Sequence, residues 1–582
     1  MTPKMASAAF TRTTSRWVFP SADAETVAAI ARLADELRLP AAAARILWKR
    51  GFRDAVSAGQ FLNPRMEDLH NPFLLRDMDR AVARIEAAIA QGERVEIHGD
   101  YDVDGVTSTV VLKKALEMIG LNAAWHIPHR LNDGYGMQVA SVEEAAGRGV
   151  RLIISVDNGI RATAAIARGL ELGVDTIVTD HHLPESGDLP PAVAIVNPNR
   201  ADCSYPNANL CGAGVAFKLA HAILSRAGWP ERKLYRVLES FLKLVAIATV
   251  ADMVPLTGEN RIIVKYGLAG LSDARNPGLR ALLAVAGFKD RVPDAGEVGF
   301  RIAPAINASG RMDSAGQAMR MFLTADADEA MLIAQELFAL NQERQTAERA
   351  VVNEIFAQCA ATPVTDSDAA LVFWGEGWHR GVVGIVASRV LHRYNRPAIV
   401  LGVENGVAQG SGRSIEAFHL LDALESMREL FTRFGGHAHA AGLTLPSVAL
   451  EAFRERLRVY AAGVLSAEDL RPVVEIDAVL QMTELSDALW VALEQLGPFG
   501  MDNRCPLFAV RGVQLAGPPQ IWKEKHLKVA VKQGTRTITM KAWNMAERAA
   551  ELSTMGSMDI AFEIGRGWYG GWDLTAREFC AS

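Results

Sequence analysis

The sequence predicts an α/β protein in which a parallel-sheet domain, a long helix, a smaller α/β domain and a small β-barrel follow one another. Three observations carry this. Between Val95 and about Asp252, short apolar runs alternate with Ala-rich stretches, which is the pattern of βαβ units. Residues 326–358 contain neither Gly nor Pro and mix both charges, as one uninterrupted helix does. From about Pro472 the texture changes to short alternating strands with turns at Gly512, Gly517-Pro-Pro and Gly534, the texture of a small barrel. A chain of 582 residues holds about three or four domains at roughly 150 residues each.

Taken in order, residues 1–80 carry no nameable chemistry. The first 22, with Lys4, Arg12, Arg16 and no acid, read as a disordered tail rather than a transit peptide. Residues 95–97 end a strand, and a helix follows from 107 to 119. Strands at 152–156, 176–179 and 194–196 run into polar residues: Asp157-Asn-Gly159, Asp180-His181-His182 and Asn197-Pro198. Open α/β sheets bind ligands at such carboxyl ends, so chemistry gathers along one edge. The helix at 326–358 would span roughly 50 Å at about 1.5 Å per residue and join two lobes with a cleft between them. Beyond it come a strand at 370–374, a helix at 382–394, a strand at 398–401, the run Gly410-Ser-Gly-Arg-Ser414 and a helix at 420–434. The glycine-rich Gly435-Gly-His-Ala-His-Ala-Ala-Gly442 follows. Strands at 526–531 and 535–540 belong to the barrel.

A hydrophobic fraction of 49% with 22% charged residues is that of a folded globular protein. No apolar run reaches the roughly 18 to 20 residues that cross a bilayer, so no membrane association is expected. Cys203, Cys211, Cys359, Cys505 and Cys580 are scattered without CxxC spacing. They exclude a disulfide framework and a structural zinc site, and fit a cytoplasmic protein. A net charge of −6 does not by itself indicate a nucleic-acid binder. Residues 503–543, however, hold eight Lys or Arg (Arg504, Arg511, Lys523, Lys525, Lys528, Lys532, Arg536 and Lys541) against the single acid Glu524, a local basic patch.

The densest chemistry is His98-Gly-Asp100-Tyr-Asp102-Val-Asp104-Gly105. Adjacent carboxylates repel one another, so the cluster is either a solvated acidic turn or a cation site. The other strand ends add Asp157, His181, His182 and Asp252. Carboxylates and imidazoles without thiolates suit harder divalent ions, Mn²⁺ or Mg²⁺. Two cations roughly 3.5 to 4 Å apart need a shared anionic ligand. In an extended segment Asp100 would share a face with Asp102 and Asp104, as a ligand or as an acceptor behind one.

These residues resemble the DHH phosphoesterase superfamily: Asp180-His181-His182, His-x-x-x-Asp-x-Asp at 98–104, Ser155-Val-Asp-Asn-Gly159 and Ala251-Asp252. The run Gly435-Gly-His-x-x-x-Ala-Gly442 is similar to the companion DHHA1 domain. With Pro128-His-Arg130, Gly134-Tyr-Gly136, Asn307-Ala-Ser-Gly-Arg311, Ser411-Gly-Arg413 and the basic β-rich end, residues 80–582 resemble the RecJ exonucleases. The resemblance implies an N-terminal region at 1–80, a DHH catalytic domain at 81–325, the helix at 326–358, a DHHA1 domain at 359–465 and an OB-fold at 466–582.

It also implies roles. One metal would be held by His98, Asp102 and Asp157, the other by Asp104, Asp157, His181 and Asp252, with Asp157 bridging. His182 would meet the phosphoryl oxygens, and Asp100 stays open between ligand and support. Arg130, Arg311, Ser411 and Arg413 would bind a 5′-phosphate, which guanidinium groups hold in bidentate fashion. Tyr135 and His437 would line the DNA. In the barrel, Trp522 flanked by Lys523 and Lys525 suits stacking on bases while cations follow phosphates; Phe508 and Trp543 are the other aromatics there, and core packing competes for all three.

The implied activity is a two-metal 5′→3′ exonuclease, specific for single-stranded DNA, that releases 5′ mononucleotides in DNA repair and recombination. It would work as a monomer beside a helicase and a single-strand-binding protein. Two other readings compete. A DHH oligoribonuclease, cyclic-dinucleotide phosphodiesterase or pyrophosphatase would lack the basic C-terminal barrel. A non-enzymatic nucleic-acid scaffold would lack a full ligand set.

Overall fold

The computed structural model describes residues 15–582 apart from 129–135, 186, 188, 290, 313–314 and 568–570, and leaves out the side chains of 311, 312 and 315. The chain forms two compact units, one of residues 19–338 with 476–582, the other of residues up to 18 with 339–475.

The larger unit is organised by a five-stranded, all-parallel sheet with the order Ala124–His126, Arg94–His98, Val150–Val156, Asp175–Thr179, Ala194–Val196. The second strand in the chain lies outside the first, and the third lies on its other side. The order therefore reverses beside Arg94–His98, and such a switch point opens a crevice at the strands' carboxyl ends. Register aligns those ends: His98 faces Ser155, Val156 faces Thr179, and Thr179 faces Val196.

Alternation along the strands splits the core in two. Ile97, Ile154 and Ile177 pack under helices Val103–Met118, Gly212–Arg226 and Glu231–Ala251; Ile153, Val178 and Ile195 pack under Val139–Gly147 and Thr163–Glu171. Helix Val103–Met118 is buried nearly all round, because helices flank it as well as the sheet.

Helix Val103–Met118 begins earlier than the sequence suggests. The expected start at 107 is corrected to Val103, with Asp102 as N-cap accepting from Gly105 N at 3.0 Å. A carboxylate that satisfies an orphan amide starts a helix wherever it stands. Asp100, Asp102 and Asp104 consequently do not share the face of an extended segment.

The N-terminal region is packing. Helices Ala24–Leu37, Ala41–Lys49 and Ala55–Leu62 share one core with the C-terminal barrel, where Leu33, Leu47 and Phe61 cluster with Leu489, Leu493 and Phe508. Arg261 fastens this assembly to the parallel-sheet domain. Fully buried, its guanidinium donates to Phe61 O, Leu496 O and Gln495 O at 2.7 to 2.9 Å and lies over the Phe61 ring. Burial pulls its pKa down to about 9.

In the barrel, strands Phe508–Leu515, His526–Gln533, Arg536–Ala542, Met558–Arg566 and Trp572–Ala581 close into a ring through the pairing of Gln514 with Lys532 and Leu515 with Val531. Arg536–Ala542 runs parallel to Trp572–Ala581, and helix Ala549–Thr554 precedes the fourth strand. This is a five-stranded OB barrel.

The second unit holds a mixed sheet ordered Arg433–Gly436, Ala440–Pro446, Val407–Arg413, Ala398–Glu404, Leu371–Glu376. Its one parallel pair, Leu371–Glu376 with Ala398–Glu404, is joined by helix Arg380–Tyr394. The helix expected at 420–434 is corrected to Leu420–Glu425, since Phe434 lies in a strand paired with Leu443. The expected disordered tail is corrected from residue 16 onward: Arg16–Val18 pairs in parallel with Val473–Glu475. Helix Ala327–Ala361 has its first twelve residues in the larger unit and the rest in this one.

Candidate metal centre

The carboxyl edge of the parallel sheet carries the donors. Among the described residues, three groups bring their ligand atoms within 4.8 Å of one another: Asp100, Asp102 and Asp157; Asp104, His181 and Asp252; and Asp157, His181 and His182. Asp157 and His181 each belong to two of them. His181 Nε2 lies 3.2 Å from Asp157 Oδ1 and 3.8 Å from Asp104 Oδ2, while its Nδ1 lies 3.8 Å from Asp252 Oδ2. The arrangement is one crowded basin with Asp157 at its centre.

Each donor is set by its backbone. Asp157 follows the strand Val150–Val156 in the left-handed region at φ 62°, anchored by its N–H to Thr179 O at 3.0 Å. Asp is among the residues that tolerate this conformation, and here it turns the side chain back over the strand ends. Asp104 sits in the first turn of Val103–Met118, where Gly212 N and Ala213 N donate to its two oxygens at 2.6 and 2.7 Å. Those amides begin helix Gly212–Arg226, so a helix N-terminus stabilises the anion. Asp252 caps the C-terminal end of Glu231–Ala251.

Electrostatics shows why cations belong here. Burial pushes Asp157 well above the ordinary carboxylate range, and Asp104, Asp102, Asp100 and Asp180 add repulsion. Asp102 is raised by burial and then by Asp104. Asp252 is pushed up to about 8 by loss of hydration, then by Asp104 and Asp102. Burial also keeps His181 below its usual value, as a neutral donor. Oxygen-rich donors whose charges oppose one another fit Mn²⁺ or Mg²⁺.

In the ion-free protein these carboxyls keep protons that an unfolded chain releases near pH 4. Stability of that form should therefore fall as pH rises toward about 8, the folded state binding more protons than the unfolded one in that window. Divalent ions remove the penalty. The rise in melting temperature on adding Mn²⁺ is expected to be larger at about pH 8.5 than at about pH 6; equal shifts would contradict the charged-basin account.

His98 is not a member of these three groups. Its Nε2 lies 3.0 Å from Glu96 Oε1, its ring stacks at 4.9 Å on His126, and its buried Nδ1 has no hydrogen-bond partner among the described residues. Glu96 is itself buried and takes two bonds from Arg148 Nη2 at 2.9 and 3.0 Å. Asp100, which the sequence left open, groups with Asp102 and Asp157. His182 Nδ1 lies 2.7 Å from Asp180 Oδ1. Asp180 also accepts from the backbone N–H groups of Ile160, His181 and His182. Burial opposes protonation of His182, but Asp180 outweighs it and raises the imidazole's pKa.

Arg130 and Tyr135 lie outside the described residues, as does the side chain of Arg311. The helix that carries Arg311, Ala303–Met312, packs on the acidic loop: Asn307 accepts from Val103 N at 3.0 Å, and a Cβ on Gly310 would meet Tyr101 O at 2.6 Å. In the second unit, Arg413 donates to Ser411 Oγ at 2.7 Å and to Gly412 O at 2.8 Å. It is half-buried, and among the described residues no carboxylate pairs with it. His437 is exposed in the hairpin loop after Arg433–Gly436, its Nδ1 accepting from His439 N.

On the barrel, Trp522 stacks against His526 and Trp543 with ring centres 5.5 and 5.3 Å away, and Lys523 and Lys528 lie over its ring. Lys525 is exposed in the turn before His526, whereas Phe508 is wholly core. Of the eight basic residues expected to form the patch, Arg511 pairs with Asp559 and Lys541 with Asp573. The patch is therefore narrower than the sequence implies.

Sequence reasoning missed Gly212 and Ala213, which fix Asp104, and the Glu96–Arg148 pair behind His98. No local signal at Gly212-Ala-Gly214 points to residue 104, because the contact joins segments 108 residues apart in the chain.

Family models match residues 94–249 (DHH family, N-terminal domain), 366–463 (DHHA1 domain) and 476–573 (RecJ OB domain). The single-stranded-DNA-specific exonuclease RecJ of Bacillus subtilis (strain 168) is 37% identical over 554 residues, 94% of this chain and 68% of the relative. The crystal structure of RecJ in complex with Mn²⁺ from Thermus thermophilus matches with a TM-score of 0.82 at 32% identity, over 97% of this chain and 80% of that one. The Mg²⁺ complex of that protein matches with 0.76 at 29% identity, over 97% and 78%.

Proposed function

The chain belongs to the RecJ family of single-stranded-DNA-specific exonucleases, and from that premise we propose that it degrades single-stranded DNA from the 5′ end to 5′ mononucleotides. It is a metal-dependent hydrolase of the phosphodiester bond that uses Mn²⁺ or Mg²⁺. The observation that carries this reading is the sharing of Asp157 and His181 between donor groups, which is what two neighbouring cations require.

Asp100, Asp102 and Asp157, joined by His98 through its buried Nδ1, would hold one ion, and Asp104, His181 and Asp252 the other, Asp157 facing both. Bound there, the ions supply concentrated positive charge to the transferring phosphoryl group and to the attacking water. Asp180 holds His182 in one orientation and keeps it a donor, so that charge developing on the phosphoryl oxygens meets a fixed N–H. The amides of Gly212 and Ala213 hold Asp104 in place and spare it reorganisation during the reaction. The Trp522–Trp543 pair with Lys523, Lys525 and Lys528 gives the barrel a face for unpaired bases and their phosphates.

Five cysteines without a disulfide suit a reducing cytoplasm, and no described helix is long and apolar enough to cross a membrane. A helicase and a single-strand-binding protein would deliver the strand to a monomeric enzyme.

The test compares 5′-labelled single-stranded DNA with short RNA oligomers and cyclic dinucleotides in Mn²⁺. Release of labelled mononucleotide from the DNA is expected, and cleavage of the small substrates alone would refute the reading. The 5′ end is tested separately. Arg413 is a half-buried cation lacking a carboxylate partner among the described residues, which suits a terminal phosphate. Arg413→Ala is expected to weaken use of 5′-phosphorylated ends by about 10- to 100-fold, the size of one or two charged hydrogen bonds, and to spare 5′-hydroxyl ends. Equal losses on both would exclude a phosphate pocket at Arg413.

A further inference from the structure

Three large apolar side chains are left in water, two of them next in the chain to donors and one on a turn packed near the end of a helix. Leu183, 65% exposed, directly follows His182; Met253, 68% exposed, directly follows Asp252; Phe300 is 84% exposed. Single exposed apolar residues are ordinary, but two of these directly follow donors and the third sits on a turn that packs against the helix ending at one. Phe300 lies in a π-helical turn, Val298–Ile302, that packs on the end of helix Glu231–Ala251, with Gly299 against Val250. That helix ends at Asp252.

The turn's other side chains are anchored, since Val298 and Ile302 are buried and Arg301 donates to Ala286 O at 2.6 Å. Arg301 is exposed but tethered by that bond, whereas the Phe300 ring is turned out to water. One extra residue in a helical turn re-aims side chains, and such turns recur at functional sites.

We propose that Phe300, with Met253 and Leu183, forms an apolar rim on which an unpaired base next to the scissile phosphate stacks. The inference rests on the exonuclease reading. A nucleotide held by its phosphate at the donors projects its base away from them, and Leu183 and Met253 are the exposed apolar side chains that adjoin those donors in the chain. Every base has a π face, so stacking is indifferent to sequence. In a duplex both faces are covered by neighbouring pairs, so the rim rewards a single strand and rejects a paired one.

The test is Phe300→Ala, whose melting temperature should match the wild type because the ring is exposed. Loss of one stacking contact corresponds to roughly a tenfold effect. We expect KM for single-stranded DNA to rise by about that factor with kcat within about twofold, and Phe300→Trp to restore it. On a strand whose leading nucleotides are abasic, wild type and Phe300→Ala should be equally weak. Binding of the ordinary strand without divalent ions reads the same contact without cleavage. An unchanged Kd and KM in Phe300→Ala, or equal losses on ordinary and abasic strands, would overturn the rim. Absence of hydrolysis by the wild type would overturn only the exonuclease reading.

Discussion

Replacing Asp157 by alanine is expected to abolish hydrolysis while leaving binding of single-stranded DNA largely intact. Its carboxylate belongs to two donor groups, so its removal weakens both ion sites at once. Charge supplied by bound ions is worth several kcal/mol at the transition state, so the rate should fall on the order of 10³-fold or more. The protein should stay folded. Burial and four neighbouring carboxylates already oppose the charge of Asp157, so the ion-free variant should melt no lower than the wild type. What it should lose is the Mn²⁺-dependent rise in melting temperature. Rates at saturating Mn²⁺, DNA binding in a chelator and melting with and without Mn²⁺ separate these effects. Turnover within about tenfold of the wild type would refute the shared-ligand role.

The contrast between Asp157 and the acidic loop shows what the sequence could carry. Asp157, His181 and His182 were legible because apolar runs end just before them, and a parallel sheet brings its strand ends to one edge whatever lies between. The run at 98–105 was legible in composition but not in geometry. Asp-Val-Asp-Gly reads as a turn, yet Asp102 caps a helix and carries Asp104 into its first turn, which separates Asp100 from the face that an extended segment would give all three.

Longer-range relations were not legible at all. Helices in the N-terminal region show only that they have an apolar face; that the face meets the barrel more than 400 residues away, as Phe61 meets Leu493 and Phe508, depends on tertiary packing. The basic patch misled in the other direction, because the sequence counts charges and the fold neutralises some, as Asp559 does for Arg511. The helix expected at 420–434 runs two residues into the hairpin at 433–446, where cross-strand pairing sets the backbone, a constraint that periodicity does not register.

Gly212→Ala should be nearly as damaging as loss of a ligand, although Gly212 donates nothing from a side chain. A Cβ there would stand 2.6 Å from Asp157 Cβ and Oδ1 and 2.7 Å from its Cγ, well inside van der Waals contact. Asp157 has little room to yield: it is almost fully buried, its backbone is tied to Thr179, and its φ is already in the left-handed region. If the helix Gly212–Arg226 retreats instead, the amides of Gly212 and Ala213 leave Asp104. Either movement displaces a donor. Misplacement of reacting groups by about 1 Å costs about 10²-fold in rate, and overpacking costs about 1 to 3 kcal/mol of stability, which a chain of this size survives. The expected result is a folded protein with DNA affinity near that of the wild type, a rate about 10²-fold lower, and a Mn²⁺ requirement shifted to higher concentration. Titration of Mn²⁺ against rate, with melting as the control for folding, distinguishes this from general damage. Since alanine favours helix over glycine, an unperturbed Mn²⁺ titration would mean that the basin is slack enough to absorb a methyl group, and the account of Asp104 and Asp157 as donors fixed by close packing would then be wrong.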